Sequence, residues 1–296
     1  MKIDTHQHYW HYNAPAFPWI SEAMPALRRD CLPEDRALAM RTAGIDVALA
    51  VQARTDTAET DFLLQVATQH SEVVGVVGWA DLRADDLEPR LDAWSAHSAF
   101  KGLRHILQDE PDVRAWVDEP LNRRGLRTLQ NRQLVYEVLV FEHQLPSVIL
   151  FCARHDRHWL VLDHVGKPAL RNWATGDREL RQHWRQHIRQ LAALSHVMCK
   201  LSGVVTETAW QHQPALTPQD IENTLWCFDE ALEAFGPRRL MFGSDWPVCQ
   251  LAASYEAVQG LAQRWAQSRL SAWEQDAFWR GNAMRCYGLT VPVCTT

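Results

Sequence analysis

The 296-residue sequence predicts an α/β fold, a single domain over residues 1–296 built as a regular or distorted (β/α)8 TIM barrel. Short β-branched segments alternate with longer amphipathic segments along the whole chain, which is typical of parallel strands joined by helices. The alternation occurs eight times. No Pro-, Gly- or Ser-rich linker divides the chain, and a barrel of this kind commonly occupies about 250 residues.

The candidate strands are short apolar segments that end at polar or turn residues. They are Met1–His6, Asp46–Val51, Val73–Ala80, Lys101–Arg104, Leu134–Phe141, Trp159–His164, Val197–Gly203 and Arg239–Asp245. An open doubly wound sheet is the alternative to a closed barrel. The closest match to its phosphate-binding turn, Gly75–Gly78, lacks the GxGxxG spacing, so the closed barrel is favoured.

The segments between these strands have helical periodicity, with Pro, Asp or Ser at their starts. The predicted helices are Pro33–Gly44, Asp56–His70, Asp86–His97, Pro120–Asn131, Pro146–Asp156, Asp177–His196, Pro218–Gly236, Ser254–Gln267 and Ser271–Tyr287. Helices in these positions provide the crossover connections that parallel strands require.

Composition and charge exclude several classes of protein. Hydrophobic residues make up 47% of the chain, which indicates a folded core rather than disorder. The formal net charge of −6 argues against nucleic-acid binding, which needs a concentrated basic surface. The basic run Arg123, Arg124 and Arg127 fits a solvated helix face better than a phosphate groove. No stretch approaches the ~20 apolar residues of a membrane span.

The seven cysteines lie at positions 31, 152, 199, 227, 249, 286 and 294, without a CxxC pair. An odd, scattered set indicates neither a disulfide framework nor a Cys-based zinc site, and reduced thiols in the cytosol are the simpler account. The segment Met1–His6 begins without an apolar run that could serve as a signal peptide. We therefore expect a cytoplasmic protein.

Fourteen tryptophans are unusual for this length. Most are expected to fill the core and its rim. Trp10, Trp79 and Trp246, however, lie near predicted strand ends. There they could wall a pocket for a carbohydrate-like ring, because aromatic faces pack well against C–H surfaces.

Polar groups follow the apolar part of strand after strand at the end where such barrels carry their active sites. The first strand ends at His6 and His8, and residues two apart share one face, so both imidazoles can point at the barrel mouth. The sixth strand reaches His164 and the eighth reaches Asp245. Together these four would form a ring of N and O ligands suited to Zn²⁺ or a similar divalent ion.

Each of these signals also has an ordinary structural explanation. An HxH pair can be incidental, His164 could be a hydrogen-bonded rim histidine, and Asp245 could cap a helix or a turn. Their combination at one end of the predicted barrel is what favours a site.

Four motifs carry a family resemblance. They are His6-Gln7-His8, Asp163-His164-Val165-Gly166-Lys167-Pro168, Lys200-Leu201-Ser202-Gly203 and Gly243-Ser244-Asp245-Trp246-Pro247. In combination, and over nearly the whole chain, they resemble the amidohydrolase superfamily, and more closely its aldonolactonase branch of fuconolactonase- and rhamnonolactonase-like enzymes. The resemblance implies that His6, His8, His164 and Asp245 surround a metal ion or the hydrolytic water.

The sequence departs from the two-metal pattern of that superfamily, which needs a bridging carboxylate or modified Lys on strand four and a His at the end of strand five. Strand four offers Arg104 instead. Strand five ends at Phe141, and His143 lies beyond the expected position. One divalent ion, with Zn²⁺ as the candidate, or none is therefore expected, since lactonases of this branch can work without a tightly held ion.

Further polar residues are expected to bind substrate. Arg104 could hold a carbonyl or carboxylate oxygen through paired donors, or form an ion pair with a nearby acid. Lys200 shares one face of strand seven with Ser202, and this inward position favours a substrate contact over a snorkelling Lys. The full expected set is Arg104, His105, Lys200, Ser202, Trp246, Trp10 and Gln52. A nucleophilic serine is disfavoured because no GxSxG elbow occurs.

The resemblance implies a lactonase, a carboxylic ester hydrolase of carbohydrate catabolism that opens an aldono-1,5- or 1,4-lactone such as L-fuconolactone. Asp245 is expected to take a proton from the attacking water, and Arg104 or a bound ion to stabilise the oxyanion. Asp245 or His164 would then protonate the leaving ring oxygen.

Two alternatives to the lactonase stay open. One is a metal-dependent decarboxylase, or another hydrolase of this superfamily, that acts on a small carboxylated substrate such as an aromatic or muconate-type acid. The other is a barrel that binds a sugar acid without converting it. The expected partner is a small sugar lactone, with no nucleic acid and no membrane. The sequence leaves the oligomeric state and the lactone's stereochemistry open.

Overall fold

The computed structural model describes residues 1–173, 178–213 and 215–290. Its eight strands form one sheet in chain order, with every neighbouring pair parallel. They are β1 Ile3–Gln7, β2 Val47–Val51, β3 Val73–Gly78, β4 Phe100–His105, β5 Val135–Val138, β6 Leu160–Leu162, β7 Val197–Leu201 and β8 Leu240–Phe242.

The sheet closes between β1 and the segment that follows β8. Gln7 pairs in parallel with Trp246. The His8 N–H donates to the Trp246 carbonyl oxygen at 2.7 Å, and the Asp245 N–H donates to the His6 carbonyl oxygen at 2.9 Å. This closure confirms the predicted (β/α)8 barrel, and it also joins the two strands that carry the predicted site.

Helices connect successive strands. They are α1 Pro33–Thr42, α2 Thr57–Gln69, α3 Leu87–Ser95, α4 Val113–Asp118, α5 Pro120–Asn131, α6 Leu145–Arg154, α7 Leu170–Trp173, α8 Arg178–Ala192, α9 Pro218–Phe235, α10 Tyr255–Arg269, α11 Ala272–Asp276 and α12 Asn282–Tyr287. Capping follows the sequence signals: Asp56 accepts from the Ala58 N–H at 2.9 Å, a typical N-cap bond.

Within the described part of the chain, no helix has both the length and the apolar character needed to cross a bilayer.

Five predicted strands end two or three residues earlier than expected, and for β6 and β8 a left-handed turn on the side of the site is the reason. After β6, the 3-10 turn Asp163–Gly166 holds His164 and Val165 at a left-handed φ of 53°. After β8, Asp245 has a φ of 60°. Both turns bend the chain away from strand geometry, so residues that continue the apolar pattern in sequence leave the sheet.

Helix prediction missed the short helices α4 and α7 and merged the last two. The predicted helix Ser271–Tyr287 is split into α11 and α12 by a π-helical turn, Ala277–Gly281. The predicted helix Asp177–His196 starts at a residue outside the described part and ends in the structure at Ala192.

Side chains fill the barrel at the end opposite the strands' carboxyl termini. Inward-facing Leu49, Val77 and Met198 belong to one apolar cluster, which α12 joins through Tyr287. The described cysteines are free thiols, all of them buried, and Cys294 lies outside the described residues. Packing of the lower barrel leaves the carboxyl end as the place for a ligand.

Candidate active site

A cavity of about 280 Å³ lies at the carboxyl ends of the strands. His8, Arg104, His164 and Asp245 are among the side chains that line it. Its other polar lining includes Gln108, Lys167, Arg171 and Glu207, and its apolar lining includes Trp19, Met24, Phe141, Trp210, Val248 and Leu251. A mostly apolar pocket with a few convergent polar groups is the usual form of a small-molecule site.

Asp245 is the centre of the predicted His/Asp ring. Its Oδ1 atom lies 3.2 Å from His8 Nε2, 3.8 Å from His6 Nε2 and 4.0 Å from His164 Nε2. Burial alone would raise the pKa of Asp245, but the three histidines together more than offset it and hold that pKa below its ordinary value. Asp245 is therefore ionised at neutral pH and can accept a proton.

His164 is held by the residues that directly follow β7. Its Nδ1 lies 2.9 Å from the Ser202 Oγ atom, which leaves Nε2 facing Asp245. Burial lowers the pKa of His164 to about 4, so the ring is neutral at pH 7. A Cβ atom on Gly203 would lie 2.4 Å from His164 Nδ1. The Ser–Gly pair of this motif thus orients the imidazole and leaves it room.

His6 lies deeper in the barrel mouth and is fully buried. Its Nε2 is 3.1 Å from Arg104 Nη1, and its Nδ1 is 3.1 Å from Lys200 Nζ and 3.5 Å from Asp163 Oδ1. Burial and the charge of Lys200 hold the pKa of His6 well below its ordinary value. Its ring is therefore neutral and connects the mouth to the charged side chains beneath.

Asp4, which sequence reasoning missed, ties β1 to the turn after β8. Its carboxylate accepts from the backbone N–H groups of His6 at 3.1 Å and Ser244 at 2.8 Å. It also accepts from the Gln7 amide at 2.7 Å and the Tyr255 hydroxyl at 3.1 Å. An Asp inside a buried strand is itself a signal, because a buried acid needs partners. This one fixes the relative positions of the first and last site strands.

Arg104 is buried and already engaged by the protein. Its Nη1 donates to Asp163 Oδ2 at 3.1 Å and its Nη2 to the Gln52 carbonyl oxygen. Each of these two nitrogens therefore already has a protein acceptor, which leaves fewer donors for the expected paired donation to substrate. Its Nε has no hydrogen-bond partner among the described residues, and the side chain still places a positive charge at the cavity wall.

The arrangement fits one divalent ion. One ligand atom each from His6, His164 and Asp245 lie within 4.8 Å of one another. His8 Nδ1 lies 2.8 Å from the Val51 carbonyl oxygen, which can only accept, so Nδ1 carries the proton. The lone pair of Nε2 in a neutral His8 then faces the Asp245 carboxylate, and two acceptors at this distance need a proton or a cation between them.

A protein-family model described as Amidohydrolase matches residues 3–289. The chain belongs to this family. That membership confirms the resemblance predicted from the strand-end motifs.

This amidohydrolase is 52% identical to an L-fucono-1,5-lactonase of Burkholderia multivorans, over 99% of this chain and 97% of the relative. It is 32% identical to an L-fucono-1,5-lactonase of Burkholderia ambifaria, over 86% of this chain and 83% of that one. A crystal structure of an amidohydrolase from Burkholderia multivorans with bound Zn has 52% identity and a TM-score of 0.94, covering 98% of this chain and 100% of that one.

Three of the predicted substrate-binding residues of this amidohydrolase contact other protein groups around the cavity. Lys200 is fully buried and lies 2.6 Å from Glu137, one layer below the cavity. Ser202 holds His164. The Gln52 amide donates to the Arg104 carbonyl oxygen at 3.0 Å. Side-chain parity along a strand gives the face correctly, but it does not give the depth.

His105 points away from the cavity. Its Nε2 lies 2.6 Å from Glu110 Oε1, and its Nδ1 accepts from the Trp79 indole at 3.0 Å. Consecutive residues of a strand face opposite sides, and Arg104 takes the inward side. His105 and Trp79 are thus corrected from pocket residues to partners in the layer outside the barrel.

The predicted tryptophan wall is formed by other tryptophans. Trp19 and Trp210, both from loops, line the cavity. Trp10 is buried behind this wall, packed edge-on against Trp19, and Trp246 is buried against Tyr9. Loop conformation, which a periodic pattern does not report, decides which indoles reach the cavity.

A charged group on the segments that follow the strands completes one side of the cavity and was not predicted. Glu207 Oε1 lies 3.4 Å from Lys167 Nζ, and Glu207 Oε2 lies 3.4 Å from Arg171 Nη2. The Lys167 ammonium also donates to Gln108 at 2.9 Å. These residues follow β4, β6 and β7, so their positions just beyond strand ends were the signal that could have identified them.

Proposed function

We propose that this amidohydrolase opens a sugar-acid lactone, L-fucono-1,5-lactone first among them, by adding water to the lactone carbonyl. The main support for this proposal is the 52% identity to the L-fucono-1,5-lactonase of Burkholderia multivorans over 99% of this chain. The Burkholderia ambifaria lactonase supports the same activity at 32% identity. The barrel by itself does not, since this fold supports many chemistries.

The lining of the cavity suits such a ligand. Polar and charged groups on one side, Gln108 and Glu207 among them, can bond ring hydroxyls. On the other side, Trp19, Val248 and Leu251 offer apolar contact for C–H surfaces. Fuconolactone is a 6-deoxy sugar lactone, so its exocyclic methyl group belongs against this apolar side.

Asp245 acts as the general base. Its carboxylate is ionised and lines the cavity. It takes a proton from a water while the water oxygen bonds to the lactone carbonyl carbon and the C=O electron pair moves to the carbonyl oxygen. The charge of Arg104 at the cavity wall stabilises that oxyanion.

Collapse of the tetrahedral intermediate breaks the bond between the carbonyl carbon and the ring oxygen. Asp245, which now holds the water's proton, returns it to the departing oxygen, and His164 Nε2 is the second group within reach. The product is the open-chain hydroxy acid. An alkoxide leaves more readily than an amide nitrogen, so this sequence needs only modest activation.

We propose Zn²⁺ as the ion of the His/Asp group, bound by His6, His164 and Asp245 with His8 adjacent. A bound divalent ion would polarise the lactone carbonyl as a Lewis acid. The proton transfers assigned above use side chains of this protein alone. We therefore expect turnover to persist after chelation.

The proposal is tested with a pH-indicator assay of aldono-1,4- and 1,5-lactones, as initial rates corrected for spontaneous hydrolysis, with and without chelator. Acid release should be fastest with L-fucono-1,5-lactone and should persist in chelator. Failure to hydrolyse any aldonolactone would overturn the proposal. Release of CO2 from a carboxylated substrate, abolished by chelator, would favour the decarboxylase. Lactone binding without product would favour the binding protein.

A further inference from the structure

A second group of metal-type ligands lies beneath the first, inside the barrel. It consists of His6 from β1, Glu137 from β5 and Asp163 after β6, whose ligand atoms lie within 4.8 Å of one another. All three side chains are fully buried. Two carboxylates in such an interior require positive charge beside them, because an unpaired buried charge is very costly.

The Lys200 ammonium supplies that charge from the middle of the group. Its Nζ lies 2.6 Å from Glu137 Oε1, 3.1 Å from His6 Nδ1 and 3.5 Å from Asp163 Oδ1. It therefore contacts all three members, as a shared ion would. We propose that Lys200 is a built-in cation that fills this second ligand group and so limits the protein to one divalent ion.

Charge balance supports this assignment. The other groups facing the two carboxylates are Arg104, 3.1 Å from Asp163 Oδ2, and the Tyr287 hydroxyl, 2.5 Å from Glu137 Oε1. Lys200 and Arg104 together balance Glu137 and Asp163. A divalent ion added beside Lys200 would leave this buried group with excess positive charge, whereas one that replaced the ammonium would meet two anionic ligands.

The group also keeps unused acceptor capacity. Glu137 Oε2 and Asp163 Oδ1 are buried without a hydrogen-bond partner among the described residues. Asp163 Oδ1 is within 3.5 Å of both Lys200 and His6, so its surroundings are already cationic and polar. Removal of the ammonium would leave the carboxylate oxygens of Glu137 and Asp163 facing His6, and carboxylates are donors for divalent metals. His6 Nδ1 would join them only as an imidazolate, with its proton released to solvent when the second ion binds.

Lys200 thus acts through His6 as a positioning residue, since His6 belongs to both ligand groups. Its Nζ lies 3.1 Å from Nδ1 of the ring, while Nε2 faces the mouth. This role is independent of which lactone is the substrate.

The test is the metal content of Lys200→Met after dialysis against Zn²⁺ or Co²⁺, measured by mass spectrometry, together with the visible spectrum of the Co²⁺ form. Methionine keeps the length of the stem and removes the charge. Wild type should hold at most about one equivalent, and Lys200→Met should gain about one more, with added Co²⁺ absorption bands. Lys101→Met, a half-buried lysine whose ammonium contacts the Gly288 carbonyl oxygen, is the matched control and should leave the metal content unchanged.

A double variant, Lys200→Met with Glu137→Gln, tests whether the additional ion is bound by Glu137. It lacks both the ammonium and one carboxylate ligand, so it should not bind the additional ion. Thermal unfolding with and without Zn²⁺ keeps the test decisive if Lys200→Met is unstable. Zn²⁺ should raise its Tm more than it raises that of wild type or of the double variant.

Folded Lys200→Met with the metal content of wild type would overturn the proposal. So would a Lys200→Met protein that stays unfolded in Zn²⁺ while the double variant folds. Lactone hydrolysis by wild type is measured separately. Failure of this inference therefore leaves the proposed function unaffected, and failure of the proposed function leaves this inference unaffected.

Discussion

The mouth of the barrel and the layer beneath it use the same kinds of side chain in opposite ways. At the mouth, the charge of Asp245 faces three imidazoles. One layer down, Glu137 and Asp163 face the ammonium of Lys200. The comparison teaches that a carboxylate that faces imidazoles and lines the cavity remains available to exchange protons, whereas a buried one that faces an ammonium is committed to the fold.

Replacement of the mouth carboxylate should have the largest effect on catalysis. Asp245→Asn removes the general base and should lower kcat/KM for lactone hydrolysis by about 10³-fold. The fold should change little, because asparagine keeps the size and shape of the aspartate side chain.

Glu137→Gln is the matched interior variant. It breaks one partner of a fully buried pair and should cost about 3 kcal/mol in the free energy of unfolding, with a smaller effect on kcat/KM. Denaturant unfolding and steady-state kinetics on both proteins check the pair. The comparison fails if the interior variant loses as much activity as Asp245→Asn while its stability is unchanged.

The next largest effect is expected where the backbone makes room for His164. In Gly203→Ala the new methyl group would lie 2.4 Å from His164 Nδ1, so the imidazole must move. We expect kcat/KM to fall by about 10²-fold.

Gly44→Ala is its control, because Gly44 has a similar φ of 66° with nothing within 4 Å of the added Cβ. Both variants should lose about 1 kcal/mol of stability from the left-handed backbone. Gly203→Ala should lose more because the imidazole must move, whereas Gly44→Ala should keep wild-type kinetics. Equal activity of the two variants would show that the position of His164 does not matter for turnover.

A smaller effect should separate the two sides of the cavity. Leu251→Gln places an amide on the apolar side, where the methyl group of a 6-deoxy lactone is proposed to bind. The ratio of kcat/KM for the 6-deoxy lactone to that for its 6-hydroxy counterpart should fall about tenfold, measured in parallel assays. An unchanged ratio would contradict the proposed position of the methyl group on the apolar side.

Acidification should have the smallest effect. The general base works only when deprotonated, so activity is lost as pH falls through its pKa. The pKa of Asp245 lies below its ordinary value, and that of His164 is about 4. We expect kcat/KM to stay nearly flat from neutral pH down to about pH 5. A loss of activity centred near pH 6.5 would instead indicate a histidine base.

Sequence patterns predicted the parts of this site that depend on local geometry. His6, His8, His164 and Asp245 could be found because strand parity and strand ends determine which way they point. For Lys200 the pattern predicted the correct, inward face of β7. It placed the side chain in the cavity rather than beneath it, because side-chain parity repeats every two residues and does not say how far along the barrel axis a residue lies.

The parts that were missed depend on contacts between residues far apart in the chain. Asp4 acts by binding the Ser244 N–H, and Tyr287 by reaching Glu137 from the last helix. Left-handed turns at His164 and Asp245 also ended two strands before the apolar pattern did. Such features become visible only when the barrel is closed.

The most direct test of the central claim is a crystal structure of Asp245→Asn with an unhydrolysed lactone that wild type consumes. The lactone carbonyl should lie in the cavity, within hydrogen-bonding reach of position 245 and beside His164, with its ring between the charged loop residues and Trp19. A lactone bound elsewhere, or with its carbonyl turned away from these two side chains, would contradict the account.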